Sequence, residues 1–427
     1  MCLLCFKNKF YVWLWLCHYK FLKKILKFEY LIFAQALSAQ THWHFNQKKI
    51  SFAPNIQYAN TPTMKRILDG NAIVYCQGAF NTPNGKTAHG LVRFTERYKV
   101  LSVVDATYAG KDAAEVLDGK AKGIPVFGTV QEAVSAAQQN GTPAKYFVVG
   151  IAPDGGRLAG QARDDIRTAL GLGLNVDCGL HDFLSDDPQL VAIANEKGCT
   201  IRDVRKTPGR GELHFFSGGI EKVNCLKLAI LGTDSAVGKR TTAWLIVHGL
   251  RGAGVKAEMV GTGQTAWMQG AKYSLIMDSL INDFVSGEIE HAVYEAWENE
   301  HPSVIVIEGQ GSLMNPAYPG GFEILAAGRP NYVILQHAPR RKEYDGFPGY
   351  PLHPLPEQIR AIEIISGKKV IAVTVNHEGM KPEEVPGECE KVTAQTGLPA
   401  FDVLLHGAGP LVELIISMKR KAVGQSG

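Results

Sequence analysis

A glycine-bounded loop followed immediately by a lysine occupies residues 232–239, with the sequence Gly-Thr-Asp-Ser-Ala-Val-Gly-Lys. The apolar run 228–231 before it predicts a buried strand, and the apolar segment 243–250 after it predicts a helix. In this order, backbone N–H groups and a helix N-terminus face one point, to which Lys239 adds a positive charge. The pattern predicts a phosphate-binding loop whose lysine faces an open cleft. An ordinary strand-to-helix turn would leave Lys239 without a role.

The residue that follows the lysine departs from the usual pattern. The common phosphate loop is G-x-x-x-x-G-K-[ST], but here Arg240 follows Lys239, and hydroxyl groups come only at Thr241 and Thr242. Successive residues lie about 100° apart around a helix, so the Thr241 hydroxyl should not lie where the Mg²⁺-binding hydroxyl usually lies. Phosphate binding is compatible with this change, whereas hydrolysis of a magnesium nucleotide is less favoured.

Polar residues also follow the other apolar runs that we interpret as strands. The carboxyl ends of parallel strands meet at one edge of a sheet, where ligands bind, so these residues should converge. The converging residues are Lys239, Gln264, Glu308, His337 and Asn376. We assign cofactor binding to Gly232, Thr233, Asp234, Ser235, Ala236, Val237, Gly238, Lys239, Arg240, Thr241, Thr242 and Asn376.

Two residues are candidates for a catalytic base, and two for substrate binding. Glu308 closes an all-apolar run, so we expect it to act as a general base, or as a ligand if Mg²⁺ binds; the alternative is a cap on the glycine-rich turn that follows. His337 is the second candidate base. Arg340 offers a guanidinium suited to a substrate carboxylate, and Gln264 is expected to contact either the substrate or the loop backbone.

Several further polar residues leave their alternatives open. One of Asp278 and Asp283 is expected to reach the site, and the other to be a solvated surface acid. His181 follows a predicted strand, so it fits a place between domains as well as a catalytic role. Asp105 ends a strand as a ribose-binding acid would, but no G-x-G-x-x-G follows the first strand, so a bound dinucleotide is disfavoured. Arg341 fits a solvated charge run as well as a carboxylate ligand.

The net charge of +4 hides two unlike parts. Residues 1–63 contain eight Lys and one Glu, a charge of +7, whereas the remainder contains 37 basic and 40 acidic residues, a charge of −3. A mildly acidic body gives no electrostatic footprint for nucleic acid. Residues 1–63 form neither a clean signal peptide nor a run long enough to span a membrane. We expect translation to begin at Met64; a helix at the membrane surface is the alternative.

Beyond residue 63, apolar runs alternate with helical patterns, which predicts two α/β units with parallel sheets. Candidate strands of the first unit are 72–76, 100–104, 125–127, 146–151 and 175–178, with helices at 130–139, 160–172 and 189–197. A helix is also predicted across 276–284. The predicted organisation is a non-native or disordered leader (1–63), a Rossmann-like domain (64–205), a linker (206–222) and a P-loop NTPase-like domain (223–427). Five scattered cysteines outside the leader fit a reduced, cytoplasmic protein.

Several ordered motifs support recognition of a family. The loop Gly-Thr-Asp-x-x-Val-Gly-Lys, with five residues between its glycines, resembles the dethiobiotin synthetase branch of P-loop proteins. The full set resembles a prokaryotic family long described as a domain of unknown function, whose characterised members are D-glutamate N-acetyltransferases. Its motifs are GLHDFLSDDP (179–188), GTDSAVGK (232–239), GTGQT (261–265), EGQGSL (308–313), PAYPG (316–320) and YPLHPLPEQI (350–359).

The resemblance implies a CoA-dependent N-acetyltransferase acting on an acidic amino acid, D-glutamate, with acetyl-CoA bound by the phosphate loop. Such a cofactor needs no metal beside a γ-phosphate, which agrees with Arg240. An ATP- and Mg²⁺-dependent ligase or kinase of the dethiobiotin synthetase type is the competing hypothesis, and a non-catalytic nucleotide switch is a third. In each case we expect a small-molecule ligand, no nucleic acid or membrane partner, and a homo-oligomer.

Overall fold

The computed structural model describes residues 69–424, and the expectations for residues 1–63 concern residues outside this range. The described chain forms two parallel β-sheets in series, and apolar cores lie against both faces of each sheet. This is the predicted α/β architecture, with the Rossmann-like unit first and the phosphate-loop unit second. None of the helices within residues 69–424 has the length and apolar character required to cross a bilayer.

The first sheet contains six parallel strands in the order β3-β2-β1-β4-β5-β6. The strands are β1 (Gly70–Tyr75), β2 (Tyr98–Val104), β3 (Val126–Phe127), β4 (Tyr146–Val149), β5 (Asn175–Cys178) and β6 (Ile201–Asp203). The helices are α1 (Lys86–Arg93), α2 (Ala113–Asp118), α3 (Val130–Gln139), α4 (Gly160–Gly171) and α5 (Pro188–Lys197). Successive residues of a strand point to opposite faces, so Phe147 packs in one core and Val148 in the other.

The second sheet contains seven parallel strands in the order β13-β12-β11-β7-β10-β8-β9. The strands are β7 (Leu226–Gly232), β8 (Ala257–Gly261), β9 (Tyr273–Ser274), β10 (Val304–Glu308), β11 (Tyr332–His337), β12 (Lys369–Val375) and β13 (Ala400–Phe401). The helices are α6 (Lys239–Gly252), α7 (Gln264–Met268), α8 (Asn282–Glu300), α9 (Phe322–Ala327), α10 (Leu355–Ser366), α11 (Val385–Thr396) and α12 (Gly409–Gly424).

The central strands β7 and β10 explain why the polar residues gather at one edge. Every residue of both strands is buried, because helices cover both faces of a parallel sheet and leave no solvated side. Lys227 near the start of β7 is accommodated by a hydrogen bond from its Nζ to Val223 O at 2.8 Å. Charged chemistry is therefore confined to the carboxyl ends, where β7 runs into the phosphate loop and β10 ends at Glu308.

Three elements of the first unit were not predicted from the sequence: α1, α2 and β6. The first of these matters most, because α1 lies against the second unit. Its interior contains Gly90, which weakens an isolated helix, and its contacts come from far along the chain. The hydroxyls of Thr87 and Thr265 are 2.8 Å apart, and Gln269 Nε2 donates to Gly90 O at 2.9 Å. Tertiary contacts of this kind leave no local sequence signal.

The helix predicted across 276–284 is wrong. The structure has a single 3-10 turn at Met277–Ser279, then extended backbone at Ile281, and α8 begins only at Asn282. The Asp278 side chain is bound by Arg205, whose Nη2 lies 2.7 Å from Asp278 Oδ2. This ion pair holds the segment against the end of the first unit and separates the turn from α8.

Residues 206–222, called the strap below, pack on α8 as irregular chain with two 3-10 turns. Glu290 of α8 accepts hydrogen bonds from Ser217 N at 2.6 Å and Ile220 N at 3.0 Å. Gly287, one turn earlier on α8, allows this close approach, because a Cβ there would overlap the backbone of His214. The strap is therefore bound to α8 through residues 214–220.

We predict that Gly287→Ala lowers the free energy of unfolding by about 1–3 kcal/mol, the usual effect of overpacking. The added Cβ pushes the strap away from α8 and stretches the hydrogen bonds to Glu290. Gly171→Ala is the matched control, since Gly171 also lies in a helix but has open space around the added atom; it should be neutral or slightly stabilising. Urea unfolding of both variants measures the difference, and equal midpoints would contradict the packing of the strap.

Candidate functional site

The carboxyl-terminal edges of the two sheets line one cleft of 910 Å³. The phosphate loop and the start of α6, residues 235–242, form part of its wall, and residues of α1 and of the turn after β4 contribute from the first unit. Glu308 and the residues that follow it also line the cleft. Polar groups of both units thus meet at the place where ligands of open α/β sheets bind.

The phosphate loop joins β7 to α6 with an unusual backbone. Ala236 has a φ of 52° and Gly238 a φ of 105°, and for alanine a left-handed conformation costs about 1–2 kcal/mol. No hydrogen bond among the described residues uses the N–H groups of residues 236–238. These donors, together with the unpaired N–H groups at the start of α6, form the anion-binding concavity predicted from the sequence.

A buried carboxylate holds the loop in this shape. The Asp234 side chain is fully buried and accepts four hydrogen bonds. Its Oδ1 is 2.7 Å from Ser235 N and 2.9 Å from Asn315 Nδ2, and its Oδ2 is 3.0 Å from Arg341 Nη1 and 2.9 Å from Asp345 N. Asp234 therefore acts through the loop conformation and does not face a ligand, although the sequence analysis assigned it to cofactor binding.

Lys239 is more enclosed than the sequence predicted. Only 7% of it is exposed, and its Nζ donates to Asp234 O and to Gly311 O, both at 2.7 Å. Burial lowers the pKa of the Lys239 ammonium to about 8, partly opposed by the nearby carboxylates of Asp234 and Glu308. The prediction that Lys239 faces an open cleft is therefore wrong. Lys239 lies at the border of the cleft, and its Nζ bridges two backbone segments.

Glu308 lies at the floor of the cleft and is almost fully buried. Its Oε2 accepts a hydrogen bond from Thr262 N at 2.8 Å. Burial raises the pKa of the Glu308 carboxyl, while the cations Arg240 and Lys239 oppose this rise. A carboxylate with a raised pKa at the floor of a polar cleft is suited to accepting a proton.

The residues after Lys239 do not form the usual magnesium site. Thr242 is buried, and its Oγ1 donates to Gln336 Oε1 at 2.5 Å, so this hydroxyl is already engaged. Arg240 lines the cleft, and its Nη2 donates to Lys86 O at 3.2 Å. The Arg240 guanidinium, whose charge acts on Glu308, also repels a divalent cation there. The donor set fits an anion better than Mg²⁺.

His337 does not reach the cleft, contrary to its assignment as a candidate base. Neighbouring strand residues point to opposite faces: Gln336 lines the cleft, and His337 turns away from it. Its Nδ1 lies 3.1 Å from Thr233 Oγ1, and burial lowers the pKa of the His337 imidazole to about 4. His337 is thus a neutral support behind the loop.

Arg340 is also displaced from its expected role as the ligand of a substrate carboxylate. Its Nη2 lies 2.9 Å from Glu384 Oε1 on the surface, and its side chain is 49% exposed. Arg341, which the sequence left undecided, turns inward to Asp234 instead. The carboxylate ligand must therefore be sought among other cations.

Other expected site residues do lie at the cleft. Gln264 begins α7 and lines the cleft, with its side chain close to Gly179 of the first unit. Asn376 follows β12 and also lines the cleft, and its Nδ2 donates to Val237 O at 2.9 Å. Asn376 thus supports the loop backbone, and Gln264 presents a polar side chain to the cleft.

The first unit and the segment after β9 contribute a group of cleft residues whose roles the sequence left open or did not indicate. His181, Arg205 and Asp278 all line the cleft; Arg205 pairs with Asp278 and also donates to Gly179 O. Burial lowers the pKa of the His181 imidazole, with the Arg205 charge acting in the same direction. Asp283 is exposed on α8, so Asp278 is the acid that reaches the site. The motif after β5 was the available signal for this group.

Asp105 has a structural role in the described chain. It is fully buried and accepts hydrogen bonds from Phe80 N at 3.0 Å and Thr107 N at 2.8 Å. Both contacts hold turns at the edge of the first sheet. These hydrogen bonds account for a buried acid at the end of β2, so no bound ribose is needed to explain it.

Two models of known protein families match this chain, one for each unit. Residues 106–207 match a model described as a domain of unknown function, DUF1611_N, Rossmann-like domain. Residues 214–412 match a second model, described as a domain of unknown function, DUF1611_C, P-loop domain. The two matches confirm the resemblance drawn from the ordered motifs and the order of the two units.

Known relatives and a solved structure agree with these matches. A protein of Tritonibacter scottomollicae named D-glutamate N-acetyltransferase is 31% identical over 68% of this chain and 85% of its own length. A protein of the same name from Pseudoalteromonas sp is 28% identical over 63% of this chain and 80% of its own length. The crystal structure of a DUF1611 family protein from Anabaena variabilis superposes with a TM-score of 0.74 at 27% identity, covering 81% of this chain and 99% of that one.

We predict that Asp234→Asn destabilises the fold by about 3–5 kcal/mol, the range for removing one partner of a buried charge pair. The amide presents an N–H group to donors that need acceptors, and it leaves Arg341 less compensated. Asp345→Asn is the matched control because only the backbone N–H of Asp345 bonds to Asp234, and its side chain is exposed. Thermal unfolding of both variants provides the measurement; a stable Asp234→Asn protein would show that the loop does not depend on this carboxylate.

Proposed function

This chain belongs to the DUF1611 family, and from that membership and the cleft geometry we propose that it is a CoA-dependent N-acetyltransferase whose substrate is an acidic amino acid, D-glutamate. The observation that carries the proposal is a phosphate loop with a guanidinium where a magnesium-binding hydroxyl is usual. Such a loop suits a ligand whose phosphates are held but not cleaved. The choice of an acetyl group and of D-glutamate comes from the name of the two relatives, D-glutamate N-acetyltransferase.

The phosphate loop would hold the phosphates of acetyl-CoA. The N–H groups of residues 236–238 and the N-terminus of α6 supply donors, and Lys239 adds a positive charge. Asn376 and the surrounding end of β12 extend this surface along the cleft. Because Asp234 fixes the loop beforehand, little ordering is needed when the cofactor binds.

Glu308 would act as the base. Acetyl-CoA supplies an acyl group on a thioester, which the amine of the substrate attacks as the carbon–sulfur bond breaks and the thiol leaves. An ammonium must lose its proton before it can attack, and the buried carboxylate of Glu308 lies at the floor of the cleft to take it. Thr262 N holds one oxygen of Glu308 at 2.8 Å and fixes its orientation.

An ATP-dependent ligase or kinase is the second candidate, because the loop spacing resembles that of dethiobiotin synthetase and Glu308 stands where a magnesium ligand would be expected. Two observations weigh against it. The Thr242 hydroxyl is engaged by Gln336, and Arg240 places a positive charge near Glu308. Acetyl transfer needs neither a metal nor γ-phosphate cleavage, so it agrees better with this site.

We predict that the purified chain releases CoA thiol from acetyl-CoA in the presence of D-glutamate and without Mg²⁺. Acetyl-CoA should also raise the melting temperature without Mg²⁺, because cofactor binding stabilises the folded state. The assay screens D- and L-forms of acidic and neutral amino acids. Thiol release with none of the acidic amino acids, together with a Mg²⁺-dependent shift by ATP, would favour the ligase or kinase instead.

We predict that Glu308→Gln lowers kcat by about 10²–10⁴-fold, the usual contribution of a general base, while acetyl-CoA still binds. The amide keeps the size of the side chain and can still accept from Thr262 N, but it cannot take a proton. Asp283→Asn is the control, an acid-to-amide change on the exposed surface. Steady-state kinetics and calorimetric titration with acetyl-CoA separate the two effects. Unchanged kcat in Glu308→Gln would remove Glu308 from the mechanism.

We predict that acetyl-CoA affinity falls as the pH rises above about 8, the pKa of the Lys239 ammonium. Below that pH the lysine is already charged and ready to bind phosphate; above it, binding must first take up a proton, which costs up to about tenfold in affinity per pH unit. Lys239→Met should bind weakly and lack this slope. Calorimetric titration between pH 7 and pH 9.5 tests the prediction, and identical slopes in both proteins would contradict it.

A further inference from the structure

Arg240 stands out in the cleft because its donors are largely unused. Its guanidinium carries five N–H donors, and the one hydrogen bond that the described residues give it runs from Nη2 to Lys86 O at 3.2 Å. Its Nε is buried and has no acceptor among the described residues. A guanidinium in a partly buried position usually has a carboxylate or phosphate partner, so this one is expected to meet its partner as a ligand.

The helix α1 of the first unit has a glycine, Gly90, at the point where the Arg240 side chain approaches it. A Cβ on Gly90 would lie 3.0 Å from Arg240 Nη2 and 3.2 Å from Gln269 Nε2, so a larger residue would displace both side chains. Gln269 Nε2 donates to Gly90 O and to Phe94 O, each at 2.9 Å. These bonds fix α1 against α7, so the contact between Arg240 and α1 is a fixed part of the cleft.

The surroundings of Arg240 have an excess of positive charge. Lys86, His89 and Arg93 of α1 line the cleft beside it. Burial and then the charges of Arg93 and Arg240 lower the pKa of the His89 imidazole to about 4, so this ring is neutral. Arg93 is paired with Asp118 at 2.7 Å. Arg240 has no ion pair of this kind within residues 69–424, although the charge of Glu308 acts on it and partly offsets the effect of burial. The other guanidinium at the cleft, Arg205, already has Asp278.

We propose that Arg240, presented between the phosphate loop and α1, binds the side-chain carboxylate of the acidic substrate and so distinguishes glutamate from its amide. The inference rests on the proposed function, since it assigns the substrate selectivity of that same site. The charge of Glu308 acts on Arg240, so a substrate held by Arg240 is also held near the proposed base. The phosphates of the cofactor are met separately by the loop N–H groups and Lys239.

A neutral side chain in this position would leave the guanidinium without a direct carboxylate partner. Burying an unpaired charge is expensive, and a missing charged hydrogen bond is not replaced by an amide of the same shape. D-Glutamine should therefore bind more weakly than D-glutamate. Arg240→Met should remove this preference, because both ligands then meet an uncharged surface.

The test measures ligand binding by calorimetry, independently of turnover. D-Glutamate, D-glutamine, glutarate and acetyl-CoA are titrated into the unmodified chain, Arg240→Met, Arg240→Lys and the control Arg340→Met, whose parent residue pairs with Glu384 outside the cleft. We expect Arg240→Met to weaken D-glutamate and glutarate by about tenfold or more while acetyl-CoA binds as before. Arg240→Lys should recover part of the loss, and Arg340→Met should change nothing. Thermal unfolding verifies that each variant is folded.

The outcomes separate this inference from the proposed function. If Arg240→Met weakens acetyl-CoA and spares D-glutamate, Arg240 belongs to the cofactor site, and the inference is overturned while the acetyltransferase proposal stands. Equal affinity of the unmodified chain for D-glutamate and D-glutamine also overturns it. If no acetyl transfer occurs but glutarate binds in an Arg240-dependent manner, the carboxylate site stands and the proposed reaction fails.

Discussion

The buried carboxylate of Asp234 is the contact on which the cleft depends. It joins the phosphate loop to the segment after β10, through Asn315, and to the segment after β11, through Arg341 and Asp345. Three strand ends are thereby held as one rigid body around a left-handed alanine that would not persist in a free loop. The unpaired N–H groups of the loop are consequently aimed before any ligand arrives, which is the basis of electrostatic preorganisation.

The two units contribute different residues to the cleft. The second unit supplies the phosphate loop, Lys239 and Glu308, and these follow from strands buried on both faces that can carry charge only at their ends. The first unit supplies α1 and the group around Arg205. Arg240 follows the phosphate loop in the sequence and contacts α1 of the first unit. It therefore connects the part of the cleft for which we propose phosphate binding to the part for which we propose substrate binding.

Sequence reasoning located the loop, Glu308, Gln264 and Asn376 because each leaves a local signal: glycines at fixed spacing, or a polar residue at the end of an apolar run. It failed at His337, because one residue of strand register decides which face a side chain takes, and Gln336 has the cleft-facing position. It also missed α1, whose glycine-containing sequence is a poor helix former alone. Helix and site there are stabilised by residues nearly 180 positions further along the chain, as the Thr87–Thr265 contact shows.

The docking of α1 on α7 carries an evolutionary consequence. The contacts that seat this helix run through backbone carbonyls of Gly90 and Phe94 and through one pair of hydroxyls, so they place few demands on its cleft-facing side chains. His89 and Arg93 take no part in these three contacts, and Arg93 pairs instead with Asp118 of α2. Under the proposed function, changes on this single eight-residue helix would alter which acceptor molecule binds, while the phosphate loop of the second unit stays unchanged.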